Sequence, residues 1–340
     1  MLTSPLKQRI LFLSTALTPE PPTPGALQRA VEVLRRGGLL GLPTETVYGL
    51  AADAENELAV RRIFAVKGRP STHPLIVHLG HSDAVKEWVA ALPGEAQSLA
   101  AAFWPGPLTL VLPRSTRASD AVTGGQGTVA IRVPAHPVAQ AVLRAFGGGL
   151  AAPSANRFGR VSPTRAEHVV ADLGSEVDLV LDGGPASVGV ESTIVDLSGP
   201  VPTLLRPGGV TREALEQVLG RPLPRHTTGD VRAPGMLPSH YAPRAGLVLS
   251  SRGEAGRMAS QLLRAGRRVA VCGPEDVAVP PGAVHLRAPE DVPGLARALY
   301  EVLRAVDAAG VDVAVVVTPD EAGLGLAVLD RLRRAAAPRG

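Results

Sequence analysis

The sequence predicts an α/β protein in two unequal parts, and three observations carry the prediction. Short apolar runs alternate with stretches of helical spacing between residues 26 and 219. Residues 221–245 lose that periodicity and gather prolines, which reads as a linker of restricted shape. From residue 246 short strands and helices alternate again, at the lengths of a small parallel domain of doubly wound type. The expected divisions are 1–220, 221–245 and 246–340.

In chain order, residues 1–25 form an extended lead-in ending in Pro21-Pro22-Thr23-Pro24-Gly25. A helix over 26–36 is stopped by Gly37-Gly38. A strand over 39–42 leads into Pro43-Thr44-Glu45-Thr46-Val47-Tyr48-Gly49-Leu50. There Thr44, Thr46 and Tyr48 either present donors at a sheet edge or pack on alternate faces of a strand. A helix over 56–66 and a strand over 75–79 follow, then helices over 82–92 and 94–103. Trp104-Pro105-Gly106-Pro107 is a rigid turn into a strand over 108–112. The alternation over 128–133 makes a strand with Thr128, Ala130 and Arg132 on one face. Residues 136–146 are helical and 149–152 a strand. Ser162-Pro163-Thr164 caps the next helix, with Glu167 completing a capping box from Thr164. A strand over 177–182 precedes a hairpin of 193–197 with 203–206, and a helix over 211–219 closes the first part. Beyond the linker the expectation is a Rossmann-like unit: strands over 247–249, 269–271, 284–286 and 311–317, with helices ending at 263, over 295–306 and at the C-terminal end.

Composition bounds the function. The chain of 340 residues is long enough for two cores, and 45% apolar with 19% charged residues is the balance of a folded globular protein. Aromatic residues make up 3%, too few for rows of stacked bases. The single cysteine, Cys272, excludes a disulfide framework within the chain and a cysteine-rich zinc site. No signal peptide is readable, the apolar run Ile10-Leu11-Phe12-Leu13 being too short, and no run reaches membrane-spanning length, so the expected location is the cytoplasm. The net charge of +4 is spread evenly: 18 cations face 17 acids in residues 1–210, and 17 face 14 in residues 211–340. Nucleic-acid binding is therefore permitted but not indicated.

The chemistry gathers on Lys67-Gly68-Arg69-Pro70-Ser71-Thr72-His73-Pro74. Two cations held by glycine and proline suit a polyphosphate, or they neutralise the carbonyl end of the preceding helix. Arg132 is either an edge charge facing water or a clamp for a carboxylate or phosphate. Ser154, Asn156 and Ser162 lie in loops and either satisfy local backbone or donate to a ligand. No glycine-rich phosphate loop, HExxH or GxSxG occurs, and His73, His78 and His81 lack a suitably spaced carboxylate for a metal site.

Together the motifs KGRPxxHPLIVH, PTETVYGL, FWPGPLT, TVAIRVPAHP, APSAN, SPT, GVESTIVD, LLRPG and PGMLPSHYAP resemble, in order from about residue 26 to 243, the YrdC-like threonylcarbamoyl-AMP synthases in their longer form. The resemblance implies a YrdC-like twisted, open α/β sheet around a central cavity, with the linker folded over it. It implies a nucleotidyltransferase that joins L-threonine, bicarbonate and ATP, carried with Mg2+, into threonylcarbamoyl-AMP. The product would feed downstream threonylcarbamoyl transferase proteins that modify tRNA. By the family pattern Lys67, Arg69 and Arg132 carry the chemistry. His73, Thr128, Ser154, Asn156, Ser162, Arg206 and Tyr241 join Lys67 and Arg69 at ATP, while Thr44, Thr46, His78 and Ser192 join Arg132 at threonine. Tyr241 with His240 would lie across the cavity, and the metal would have no protein ligands. His73 departs from the family pattern, which carries Asn or Lys before that proline. Weak tRNA binding is a further expectation of this reading. Two other readings are an RNA-binding module, disfavoured by the even charge and few aromatics, and a hydrogenase-maturation carbamoyl transferase, disfavoured by the single cysteine.

Overall fold

The computed structural model describes residues 17–225, 233–235 and 240–338. The Ile10-Leu11-Phe12-Leu13 run, most of the expected lead-in and part of the expected linker lie outside them. The first part runs α1 (Pro24–Arg35), β1 (Leu40–Leu42), β2 (Gly49–Asp53), α2 (Glu57–Lys67), β3 (Ile76–His78), α3 (Val85–Trp88), α4 (Gly94–Phe103), β4 (Leu108–Pro113), α5 (Asp120–Thr123), β5 (Thr128–Arg132), α6 (Pro137–Phe146), β6 (Leu150–Ala151), α7 (Ala166–Leu173), β7 (Leu179–Val180), β8 (Thr193–Asp196), β9 (Thr203–Arg206) and α8 (Arg212–Leu219). The second runs β10 (Gly246–Ser250), α9 (Ala255–Arg264), β11 (Val269–Gly273), β12 (Val284–Arg287), α10 (Val292–Ala308), β13 (Val313–Val317) and α11 (Gly325–Ala336).

Local chemistry sets several helix ends. Asn56 caps α2 through Oδ1, which accepts from Leu58 and Ala59, and Gly68 stops it in the left-handed conformation. Proline in the first turn opens α1, α6 and α10, where its missing N–H costs nothing.

The first part forms one nine-stranded mixed sheet in the order β7-β1-β2-β6-β3-β5-β4-β8-β9. Helices α2 and α4 pack with Trp88 of α3 in one large apolar cluster, while α1 and α6 cover the far end from the other side. The second part is a four-stranded parallel sheet, β10-β13-β11-β12. Its strand residues alternate between layers, as period two requires. Val269, Val271, Val313 and Val315 pack toward α9, and Ala270, Cys272, Ala314 and Val316 toward α10 and α11. Both faces are covered, which is the doubly wound arrangement.

The apolar cluster under α10 and α11 also takes in Val47, Val161, Val190 and Tyr241. Gly189 makes that approach possible: its φ is 80°, and a Cβ there would sit 2.4 Å from the Ala296 carbonyl oxygen on α10. No helix among the described residues is long and apolar enough to cross a membrane.

Three expectations are corrected and one open alternative is decided. Thr44, Thr46 and Tyr48 belong to no strand; they lie in the connection from β1 to β2, the latter unforeseen because Gly49-Leu50-Ala51-Ala52-Asp53 is too small and uniform to alternate. The helix expected over 82–92 is a 3₁₀ turn followed by the single turn of α3, because Val89 is extended and pairs with Arg114. The capping box from Thr164 does not form. Thr164 Oγ1 has no partner, its N–H donates to His168 Nδ1, and Arg165 precedes the helix without a side-chain cap. The 177–182 strand is cut to Leu179–Val180, and the short helix α5 was not legible.

Candidate active site

The strand register builds the floor of the site. His78 on β3 lies opposite Arg132 on β5, Arg132 opposite Thr109 on β4, Thr109 opposite Ile194 on β8, and Ile194 opposite Arg206 on β9. Paired residues in a sheet point to the same side, so this row projects functional groups onto one face. Ile76, Ala130 and Val111 continue that face as an apolar patch with Ala233 against it. A cavity of about 50 Å³ opens above the row. Thr46, Arg69, His78, Arg132, Ser154, Glu191, Ser192, Arg206 and the roof residues Pro234, Gly235, His240 and Tyr241 are among its lining.

Among the described residues five cations are buried, Lys67, Arg69, Arg132, Arg206 and Arg331, against three carboxylates, Glu45, Glu191 and Asp330. The pairing is uneven. Arg132 donates to Glu45 Oε1 at 2.6 Å and to Thr46 Oγ1 at 2.8 Å. Burial alone would raise the Glu45 carboxyl, but the Arg132 charge outweighs it and holds Glu45 below the ordinary value. Arg331 donates to Glu191 Oε2 at 2.8 Å and to Asp330 at 2.9 Å.

Lys67, Arg69 and Arg206 form no ion pair with a carboxylate among the described residues. Lys67 does not grip its own helix end. Its ammonium donates to the Asn156 carbonyl at 2.6 Å and to the Ser154 carbonyl, behind the cavity wall, and burial pushes it well below the usual lysine value. Arg69 donates to the Pro74 carbonyl at 2.9 Å, leaves Nε without a partner and lies 5.8 Å from the Phe158 ring centre. Burial lowers it to about 10. Arg206 donates to the Ser192 and Pro234 carbonyls, both at 2.9 Å, and burial lowers it too. Buried cations satisfied only by neutral acceptors cost several kcal/mol each, which an anionic ligand would offset.

The remaining groups are neutral or tightly held. Burial, followed by the Arg132 charge, pushes His78 down to about 3, and burial likewise holds His240 at about 3. Thr109 and Ser192 hydroxyls are 2.7 Å apart. Tyr241 adopts a φ of 63°, a left-handed conformation that costs a bulky residue on the order of 1–3 kcal/mol. The strain is held by packing: the Tyr241 ring lies 5.8 Å from Tyr300 and 5.3 Å from the Arg331 guanidinium.

Of the residues predicted for ATP, Arg69, Ser154, Arg206 and Tyr241 line the cavity, while Lys67 and Asn156 back its wall. His73, Thr128 and Ser162 do not line it: His73 packs edge-on to Phe158, Thr128 is half-buried, and Ser162 donates to Glu191 Oε1 at 2.7 Å. Of those predicted for threonine, Thr46, His78, Arg132 and Ser192 line it, and Thr44 stands behind, its hydroxyl 2.9 Å from that of Thr46. Sequence reasoning missed Glu45, Thr109 and Glu191. Two of the partners of Glu191, Tyr300 and Arg331, lie 109 and 140 residues further along the chain, beyond any local pattern.

Comparison with known proteins agrees with this architecture. The Sua5–YciO–YrdC family model, described as telomere recombination, matches residues 32–208, and a model described as the threonylcarbamoyl-AMP synthase C-terminal domain matches residues 210–337. The chain is 41% identical to a threonylcarbamoyl-AMP synthase of Pyrococcus abyssi, over 91% of this chain and 94% of that one. It is 40% identical to the synthase of Bacillus subtilis, over 92% and 93%. A structure of Pyrococcus abyssi Sua5 complexed with L-threonine superposes with a TM-score of 0.85 at 40% identity, covering 91% of this chain and 94% of that one. The chain belongs to the Sua5–YciO–YrdC family of threonylcarbamoyl-AMP synthases, in the form that carries a second, C-terminal domain.

Proposed function

We propose that the protein is a nucleotidyltransferase that joins L-threonine, bicarbonate and ATP into L-threonylcarbamoyl-AMP and releases pyrophosphate, the first step in forming threonylcarbamoyladenosine in tRNA. One observation carries the reading: Arg69 and Arg206 line, and Lys67 backs, a cavity whose floor also presents Arg132, Thr46 and His78, and these three buried cations have no carboxylate partner among the described residues. A positive surplus in a dry site suits a polyphosphate. The named substrates of the homologues and the threonine complex of the Pyrococcus protein support the choice of ligands.

In this reading Arg69 and Arg206 take the phosphates. Lys67 acts through the wall it organises at Ser154 and Asn156, and Ser162 and Thr128 complete the surroundings of the nucleotide with His73. Arg132 takes the threonine carboxylate beside Thr46, Ser192 and His78, with Thr44 fixing Thr46. The threonine amine adds to the carbon of bicarbonate with loss of water, and a carbamate oxygen then attacks the α-phosphorus while pyrophosphate leaves. No protein nucleophile is needed; positioning and charge stabilisation suffice. Neutral His78 adds no charge to repel the amine. Mg2+ arrives on the triphosphate as part of the substrate, and the cavity's carboxylate, Glu191, is committed to other donors.

The cavity is far smaller than ligand pockets of roughly 300–1,000 Å³. Substrates therefore enter by displacing the roof of Pro234, Gly235, His240 and Tyr241, which closes behind them as a lid. The product passes to a tRNA-modifying threonylcarbamoyl transferase in the cytoplasm, and direct contact with tRNA is weak.

The test is pyrophosphate release by the purified protein with threonine, bicarbonate and ATP omitted in turn. Release should require all three; release that is indifferent to threonine overturns the reading.

A further inference from the structure

Glu191 is a carboxylate in the wall of a cavity meant for anions, a placement that works against the proposed ligands unless its charge is held elsewhere. Three donors hold it. Ser162 donates to Oε1 at 2.7 Å, the Tyr300 hydroxyl lies 2.9 Å from Oε1 and 2.7 Å from Oε2, and Arg331 Nε donates to Oε2 at 2.8 Å. Tyr300 is on α10 and Arg331 on α11, so two of the three come from the second domain.

Arg331 does more. Its NH1 donates to the Pro207 carbonyl at 2.9 Å, fixing the backbone directly after Arg206, and its guanidinium stacks 5.3 Å from the Tyr241 ring. The same helix accepts the His240 N–H on the Arg334 carbonyl at 3.2 Å. Arg331 is fully buried and Tyr300 is too, so neither arrangement is a surface accident. Glu191 immediately precedes Ser192, whose carbonyl accepts from Arg206, and its donors on α10 and α11 hold the carboxylate on the side of the second domain.

We propose that Arg331 and Tyr300 of the second domain are positioning residues of the active site, holding Glu191 and Pro207 so that the charge of Arg206 stays available to the nucleotide. The second domain is thereby a structural part of the nucleotide site. This rests on the function proposed above. Without Arg331, Glu191 turns to Arg206, whose charge already acts on it, and neutralises it.

The experiment measures pyrophosphate release at varied ATP and varied threonine. Arg331→Met should raise KM for ATP by about tenfold or more, with KM for threonine changed less than about threefold, since a buried charge loses its partner on the phosphate side only. Tyr300→Phe, which keeps the ring against Tyr241 and loses one donor, should move KM for ATP the same way by about threefold. Adding Glu191→Gln to Arg331→Met removes the carboxylate that would quench Arg206 and should restore KM for ATP to within about threefold of wild type. A merely structural role predicts no rescue, because the second substitution removes a further contact. If Arg331→Met does not fold, Tyr300→Phe with and without Glu191→Gln decides in the same way. Wild-type KM for ATP in the single variants, or no recovery in the double, overturns the proposal. A wild-type protein without threonine-dependent release overturns the proposed function instead.

Discussion

Arg69, Arg132 and Arg206 are similarly buried, yet their partners assign them different roles. Arg132 is locked to Glu45 and Thr46, so removing it strands a carboxylate in the interior at a cost of about 3–5 kcal/mol. Among the described residues Arg69 donates to the Pro74 carbonyl and lies against the Phe158 ring, with no carboxylate partner. Arg69→Ala should therefore lower pyrophosphate release by about 100-fold or more while leaving the melting temperature at or above wild type. Arg132→Ala should lower both, read by calorimetry beside the activity assay. A large loss of stability in Arg69→Ala would mean that its charge is compensated after all. At this scale the sequence spoke clearly about which residue types matter, because Lys67, Arg69, Arg132 and Arg206 sit in distinct motifs. It was silent on pairing, because Glu45 and Glu191 find partners far along the chain.

Among elements, the strands that form the floor were legible because their apolar alternation is strong, and the face shared by Thr128, Ala130 and Arg132 follows from period two. Their order in the sheet was not, since β3 pairs with β5 and β4 with β8, and no local pattern encodes such crossovers. The missed β2 and the failed cap at Thr164 have one cause: tertiary pairing overrode weak local signals, as when the Thr164 carbonyl accepts from Ala186. The roof is closely fitted. Gly235 has a φ of 79°, and a Cβ there would lie 2.4 Å from the Tyr241 hydroxyl oxygen and 3.0 Å from Arg206 NH1. Gly235→Ala should impair closure and lower kcat/KM for ATP by about tenfold, and the positive φ and the close contact should lower the melting temperature as well. Unchanged kcat/KM would show that the roof does not close over the nucleotide.

For the molecule as a whole, the two domains share an apolar cluster, and the candidate cavity is walled by the first while Arg331 and Tyr300 brace Glu191 from the second. The account stands on one claim, that Arg69 and Arg206 on one side and Arg132 on the other divide a single cavity between ATP and threonine. A crystal structure of the protein with a non-hydrolysable ATP analogue and L-threonine tests it most directly. The account predicts phosphate oxygens within hydrogen-bond distance of Arg69 and Arg206, the threonine carboxylate at Arg132, and the Tyr241 segment closed over both. Both ligands bound elsewhere, with the Arg69 guanidinium turned to bulk water, would contradict it.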